Sequence, residues 1–169
     1  MKVVSPEILH KSDFGGVILS IQDKAAAELA YTKLAQIAHE KTFCGVIIYP
    51  MAARFQEIIL GISTAPQFGP VILLGAGGIY TEIIRDFTLR LAPVSKQTAR
   101  DMLKQLKSFP LLQGSRGQAG GDLDALVDLI TRVSELPFLF PQISELDINP
   151  VFLFSKGVLI GDIRVVLRS

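Results

Sequence analysis

The sequence is poor in several things at once. It has one cysteine, no tryptophan and almost no excess of either charge, with 17 Lys and Arg against 16 Asp and Glu in 169 residues. A lone Cys44 forms no internal disulfide, which favours a reducing, cytoplasmic compartment. A net charge of +1 excludes a nucleic-acid clamp or an acidic tail built on bulk electrostatics. No apolar run is long enough to cross a bilayer, because the richest, Pro70 to Tyr80, is broken by Gly75, Gly77 and Gly78. The first residues reach Ser5-Pro6 after two valines, which is no signal-peptide core. The expectation is a protein that binds neither membrane nor nucleic acid.

What is abundant is apolar surface. Hydrophobic residues make up 49% of the chain, and the mean hydropathy is +0.42. The length suits one domain, residues 1–169, with a core that needs no disulfide or metal staple. Three segments carry helical periodicity. Ala26, Ala30, Leu34 and Ile37 follow an N-capping Asp23 in a region closed by Gly45. Ala99, Met102, Leu103 and Leu106 follow Ser95 and stop near Pro110. Leu123, Leu126, Val127, Ile130 and Val133 follow Asp122 and run to Pro137. Between them lie β-branched runs at Val3-Val4, Gly16 to Ile21, Gly45 to Tyr49, Glu57 to Gly61 and Pro70 to Leu74, with a final pair at Leu146 to Phe154 and Val158 to Leu167. Interleaved strands and helices place the chain in the α/β or α+β class.

The final pair is the most informative local pattern. In Glu145-Leu146-Asp147-Ile148-Asn149 a strand sets Leu146 and Ile148 on one face and Glu145, Asp147 and Asn149 on the other. Ser155-Lys156-Gly157 reads as a turn. If the turn has two residues, Asn149 faces Asp162 directly or sits one diagonal step away. Two oxygen ligands could then share a cation such as Mg²⁺, which commonly takes one or two protein oxygens plus substrate phosphates. A three-residue turn would part them.

Other motifs have two readings each. Gly15-Gly16, with Lys2 and Lys11, suits phosphate approach or a hairpin loop with solvated lysines. Gly75 to Gly78 is an anion nest or a tight strand-exit turn. His10 is a nucleophile or a solvated loop histidine, and Arg116 and Arg164 are phosphate ligands or surface charges. His39 near a helix end is read as solvated or cap-bonding, and Cys44, just before an apolar strand, as buried.

Taken in order, HKSDFGG, PQFGP, GAGGIYTE and ELDINP resemble the ATP-grasp region of the NDP-forming acyl-CoA synthetases. The β subunit or domain of ADP-forming acetyl-CoA synthetase is the nearer likeness, and the succinyl-CoA synthetase β subunit a more distant one. The resemblance covers nearly the whole chain and implies an ATP-grasp fold lacking its N-terminal subdomain. It implies ATP or ADP with Mg²⁺, a CoA-binding α subunit or domain as partner, and a hetero-oligomer or longer chain. It implies Lys2 on the ATP phosphates and Gly15 and Gly16 in the loop over them, with Lys11 beside it. Tyr49, Met51 and Ala52 fall at the adenine hinge and Glu57 on the next strand near the nucleotide. Asn149 and Asp162 fall at the metal ligands, and His10 at a transiently phosphorylated histidine. The chain departs from the pattern at Ala52-Ala53-Arg54-Phe55, where a glycine is usual, and at Ala65, where Asp is usual. A regulatory domain of a related protein acetyltransferase, or a non-catalytic subunit, is the other expectation.

The surplus of apolar residues then reads as surface meant for a neighbouring subdomain or subunit. The isolated 18.4 kDa chain is expected to self-associate. Gel filtration with light scattering checks this, and a clean monomer would contradict it.

Overall fold

The computed structural model describes residues 1–8, 14–39, 41–51, 56–78, 85–114 and 119–168. The chain divides into two compact units, Met1–Ala53 and Arg54–Ser169.

In the first unit, β1 (Lys2–Val4) pairs antiparallel with β2 (Gly45–Ile47), Val3 opposite Val46, and α1 (Lys24–Ile37) packs on them. The Asp23 carboxylate caps α1 by accepting from Ala26 N–H at 2.8 Å. Ala30 and Leu34 are buried with Met1, Val3, Ile8 and Ala38, as the helical spacing predicts.

Two expectations fail here. Gly16 to Ile21 runs beside β1, with Ile18 N–H donating to Met1 C=O at 2.9 Å. It makes a single bridge, Lys2 to Val17, and Ser20 at φ +57° breaks the extended conformation before a strand can form. Cys44 is exposed rather than buried. The strand-like alternation turns Phe43 inward, where its ring meets Tyr31 edge-on at 5.8 Å, and Cys44 outward.

The second unit is an antiparallel sheet with helices on one face. Its strands are β3 (Gln56–Ala65), β4 (Gly69–Ala76), β5 (Phe87–Leu91), β6 (Ile143–Leu153), β7 (Val158–Ile160) and β8 (Ile163–Leu167). The order is β5-β4-β3-β6-β7, with β8 also on β6. The helices are α2 (Lys96–Gln105), the single turn α3 (Phe109–Leu112) and α4 (Leu123–Leu139). Ile58, Leu60, Ile62, Ile72, Leu74, Leu146, Ile148 and Val151 face Ala99, Met102, Leu103, Leu126, Val127 and Ile130 in one core. Strand β5 is missing from the sequence reading because its alternation is inverted. Polar Thr88 is buried, while Phe87, Leu89 and Leu91 are exposed. Pro137 does not end α4, which runs on to Leu139. The helix goes on for two residues past the proline, whose ring is buried. Among the described residues no helix is long and apolar enough to cross a membrane.

Two carboxylates tie the elements together. Asp122 caps α4 through Ala125 N–H at 3.0 Å and also accepts from Gly157 N–H, in the β6–β7 turn, at 2.8 Å. These two donors, Ala125 first, hold its carboxyl below the usual range. Asp86, 7% exposed, accepts from Lys107 and Ser108 N–H at 2.8 Å each, fastening the α2–α3 connection to the start of β5. Burial pushes the Asp86 carboxyl up, but donors from Ser108 and Lys107 outweigh it and hold it low. A carboxyl depressed in the folded state adds stability above its unfolded pKa of about 3.9 and loses it as pH falls through the folded value. Asp86→Asn should therefore cost about 2 kcal/mol at neutral pH. Urea unfolding should show that gap narrowing toward acid, because the wild type loses the charge that the variant lacks.

Candidate functional site

The first unit contributes a short cationic edge. Lys2 opens β1 opposite Ile47, and its Nζ lies 5.6 Å from the centre of the Tyr49 ring. Gly16 C=O accepts from Val3 N–H at 2.9 Å, so the glycine pair is held against the strand that carries Lys2. Gly15 has φ +68°, and a Cβ added there would meet only Ile37 Cδ1, at 3.7 Å, so backbone conformation rather than space calls for glycine. Tyr49 and Met51 are exposed beyond the end of β2. Lys2, Gly15, Gly16 and Tyr49 thus come together within this unit. His10, Lys11 and Ala52 lie outside the described residues.

In the second unit the alternation of the strands puts every candidate on the helix-free face. Along β6, Leu146, Ile148 and Val151 are buried while Glu145, Asp147 and Asn149 are exposed. The hairpin closes with Phe154 N–H donating to Gly157 C=O at 3.1 Å, leaving Ser155 and Lys156 in the turn. Leu153 then faces Val158 and Val151 faces Ile160, and beyond the break between β7 and β8 Ile148 faces Ile163. The register is carried through that break unchanged. Asn149 N–H donates to Asp162 C=O at 3.2 Å, so the two residues stand directly opposite. That is the arrangement a two-residue turn predicts. The Asp162 carboxylate also accepts from Ile163 N–H at 3.1 Å.

Glu57 faces Phe152 across β3 and β6. The glycine run after β4 wraps around it. Gly77 N–H donates to Glu57 C=O at 2.7 Å, and a Cβ on Gly77 would come within 2.8 Å of Glu57 Cβ. A Cβ on Gly78 would sit 3.5 Å from the Glu57 carboxylate. Gly77 is therefore a close-packing glycine at a strand exit, which favours the turn reading of Gly75 to Gly78. Sequence reasoning missed this partnership of Glu57 and Gly77, since only the β3–β4 register brings them together.

Next to these groups, an open groove of about 370 Å³ runs over the same face, lined by Gly61, Leu73, Leu89, Asp147 and Arg164 among others. Arg164 stands opposite Asp147, so this arginine faces the groove. The Asp147–Arg164 pair was legible only as alternation. Among the described residues no three His, Cys, Asp or Glu side chains gather as a metal cage. Asn149 and Asp162 each carry a side-chain oxygen, a donor type suited to a hard cation.

The model of the ATP-grasp domain family matches residues 1–167. The chain is 40% identical over 171 residues to the β subunit of acetate–CoA ligase (ADP-forming) I of Pyrococcus furiosus, covering 99% of this chain and 74% of that one. It is 41% identical over 173 residues to 4-hydroxybutyrate–CoA ligase (ADP-forming) of Nitrosopumilus maritimus, of which it spans a quarter of the length. Among solved structures, the dinucleotide-forming acetyl-coenzyme A synthetase 1 of Candidatus Korarchaeum cryptofilum, in complex with coenzyme A and Ca-AMPCP, superposes with a TM-score of 0.93 at 34% identity. That match covers 99% of this chain and 75% of the other. Another structure of that enzyme holds coenzyme A and Mg-AMPPCP, with its phosphohistidine segment pointing towards the nucleotide binding site. The helix-backed antiparallel sheet and the ordered motifs lead to one assignment: the chain belongs to the ATP-grasp domain family, in the branch of the ADP-forming acyl-CoA synthetases.

Proposed function

We propose that this chain is the nucleotide- and Mg²⁺-binding part of an ADP-forming acyl-CoA synthetase, completed by a CoA-binding α subunit or domain. The reaction interconverts acyl-CoA, ADP and phosphate with carboxylic acid, CoA and ATP. The observation that carries this reading is the register that sets Asn149 opposite Asp162 on the helix-free face of the sheet. An exposed free Cys44 suits a reducing cytoplasm.

Each residue has a defined task. Asn149 and Asp162 would hold Mg²⁺, which offsets phosphate charge when bound. Lys2 supplies a point charge for phosphate oxygens, and the backbone at Gly15 and Gly16 approaches them without a side chain in the way. Tyr49 and Met51, just beyond β2, offer exposed apolar surface and backbone to a base. Glu57, braced by Gly77, positions a carboxylate near the nucleotide. His10, as neutral imidazole, takes the terminal phosphoryl group of ATP, leaving ADP, and gives it up to the next acceptor. Phosphoryl transfer of this kind depends more on alignment and charge than on covalent help from the protein.

Titration calorimetry of the chain assembled with its partner tests the metal site. Asp162→Asn should weaken Mg·ADP binding roughly tenfold or more while changing Mg-free ADP binding little. Equal losses with and without Mg²⁺ would contradict the assignment. For His10, γ-labelled ATP should label the assembled enzyme on protein even when the partner's own histidines are removed. His10→Asn should abolish that label, and its survival would rule out the phosphoryl role.

A further inference from the structure

Strand β8 pairs with β6 on one side, and among the described residues no strand lies on the other. Asp162 and Val166 turn their carbonyls toward β6, accepting from Asn149 N–H and Ser144 Oγ. Alternation then points the backbone groups of Ile163, Val165 and Leu167 to the open edge. Natural edges are usually blunted by lysine, proline, a bulge or a covering side chain. The opposite edge of the sheet is protected in this way: Arg90 Nη1 donates to Leu89 C=O at 2.7 Å, in the middle of β5. On β8 the Asp162 carboxylate caps Ile163 N–H, and among the described residues no strand pairs with Val165 on its outer side. The apolar side chains of the strand are also uncovered, with Ile163, Val165 and Leu167 exposed by 51, 46 and 59%.

We propose that β8 is a self-association edge that pairs antiparallel with β8 of a second copy about a two-fold axis at Val165. Residues 162–168 are self-complementary in that register. Val165 faces Val165, and Ile163 faces Leu167, which joins the exposed aliphatic side chains into one row. Arg164 faces Val166, so no two arginines oppose each other, and Arg168 faces Asp162, a pair of opposite charge. Val165 and its counterpart exchange two backbone hydrogen bonds, and Leu167 N–H reaches Ile163 C=O on each side of the axis. The contact is isologous and closes at a dimer. With so few residues on each side it buries less than the roughly 1,600 Å² of a standard interface, so a weak, micromolar dimer is expected. This pairing does not depend on the nucleotide reading.

Sedimentation equilibrium of the 169-residue chain, from low to high micromolar concentration, tests the pairing. The wild type should pass from monomer to dimer. Val165→Lys, which sets two ammonium groups against each other at the axis, should remain monomeric with an unchanged circular dichroism spectrum. In a hydrogen-bonded antiparallel pair the facing Cα atoms are about 5.5 Å apart, within disulfide reach. The Val165→Cys, Cys44→Ser double variant should therefore cross-link to a covalent dimer on mild oxidation. A wild type that stays monomeric overturns the proposal. So does a dimer that survives Val165→Lys, which would place the contact elsewhere, or growth beyond a dimer, which would mean a contact that does not close.

Discussion

The register of the β6 hairpin is the constraint on which the open face of the sheet depends. Side chains alternate along a strand, so a slip of one residue would send Asn149 into the core and bring Ile148 to the surface. Two features prevent the slip. Leu146, Ile148, Val151 and Leu153 are all buried against the helices, which favours one register by the apolar area it hides. The Asp122 carboxylate then binds the start of α4 and the turn at Gly157 together. Gly157, at φ +79°, supplies the left-handed conformation that the turn requires. With the turn held, Asn149 meets Asp162 across the break between β7 and β8.

The sheet of the second unit is covered on one face and open on the other, and the two faces have different chemistry. Helices α2 and α4 cover the aliphatic face. The open face carries Phe87, Leu89 and Leu73 toward the β5 side, and Glu145, Asp147, Asn149, Asp162 and Arg164 toward the β8 side. The close approach of Gly77 to Glu57 and the two anchors from Asp86 to the α2–α3 connection keep this open face supported from its far corner. The same layering leaves a bare aliphatic strip at the β8 edge, and that edge is where the apolar surplus of the composition becomes visible.

Much of this was legible before the fold. The cap at Asp23 is a short-range signal and accepts from a backbone N–H as its sequence context implies, and Ser95 and Asp122, where the other two periodic segments begin, do the same. The alternation in Glu145 to Asn149 is equally local. What escaped was non-local. Strand β5 hides because its apolar residues point away from the helices, so its pattern reads backwards. Gly16 to Ile21 looked like a strand because β propensity is a matter of neighbours as much as residue type, and a single left-handed Ser20 denies it a second bridge. Cys44 was misplaced for a related reason. Its exposure follows from which way Phe43 turns, and only the packing of Phe43 against Tyr31 settles that.

By itself the sequence determined the helices, the two-faced pattern of β6 and the family, because caps, turns and ordered motifs act over a few residues. Tertiary structure alone decided that Glu57 and Gly77 touch, that Asn149 and Asp162 are directly opposed, and that β8 is left with a bare edge. Those facts depend on pairing between segments up to about a hundred residues apart, as between β3 and β6. Pairing at that distance is chosen by the apolar area the whole sheet can bury, which no local stretch of sequence specifies.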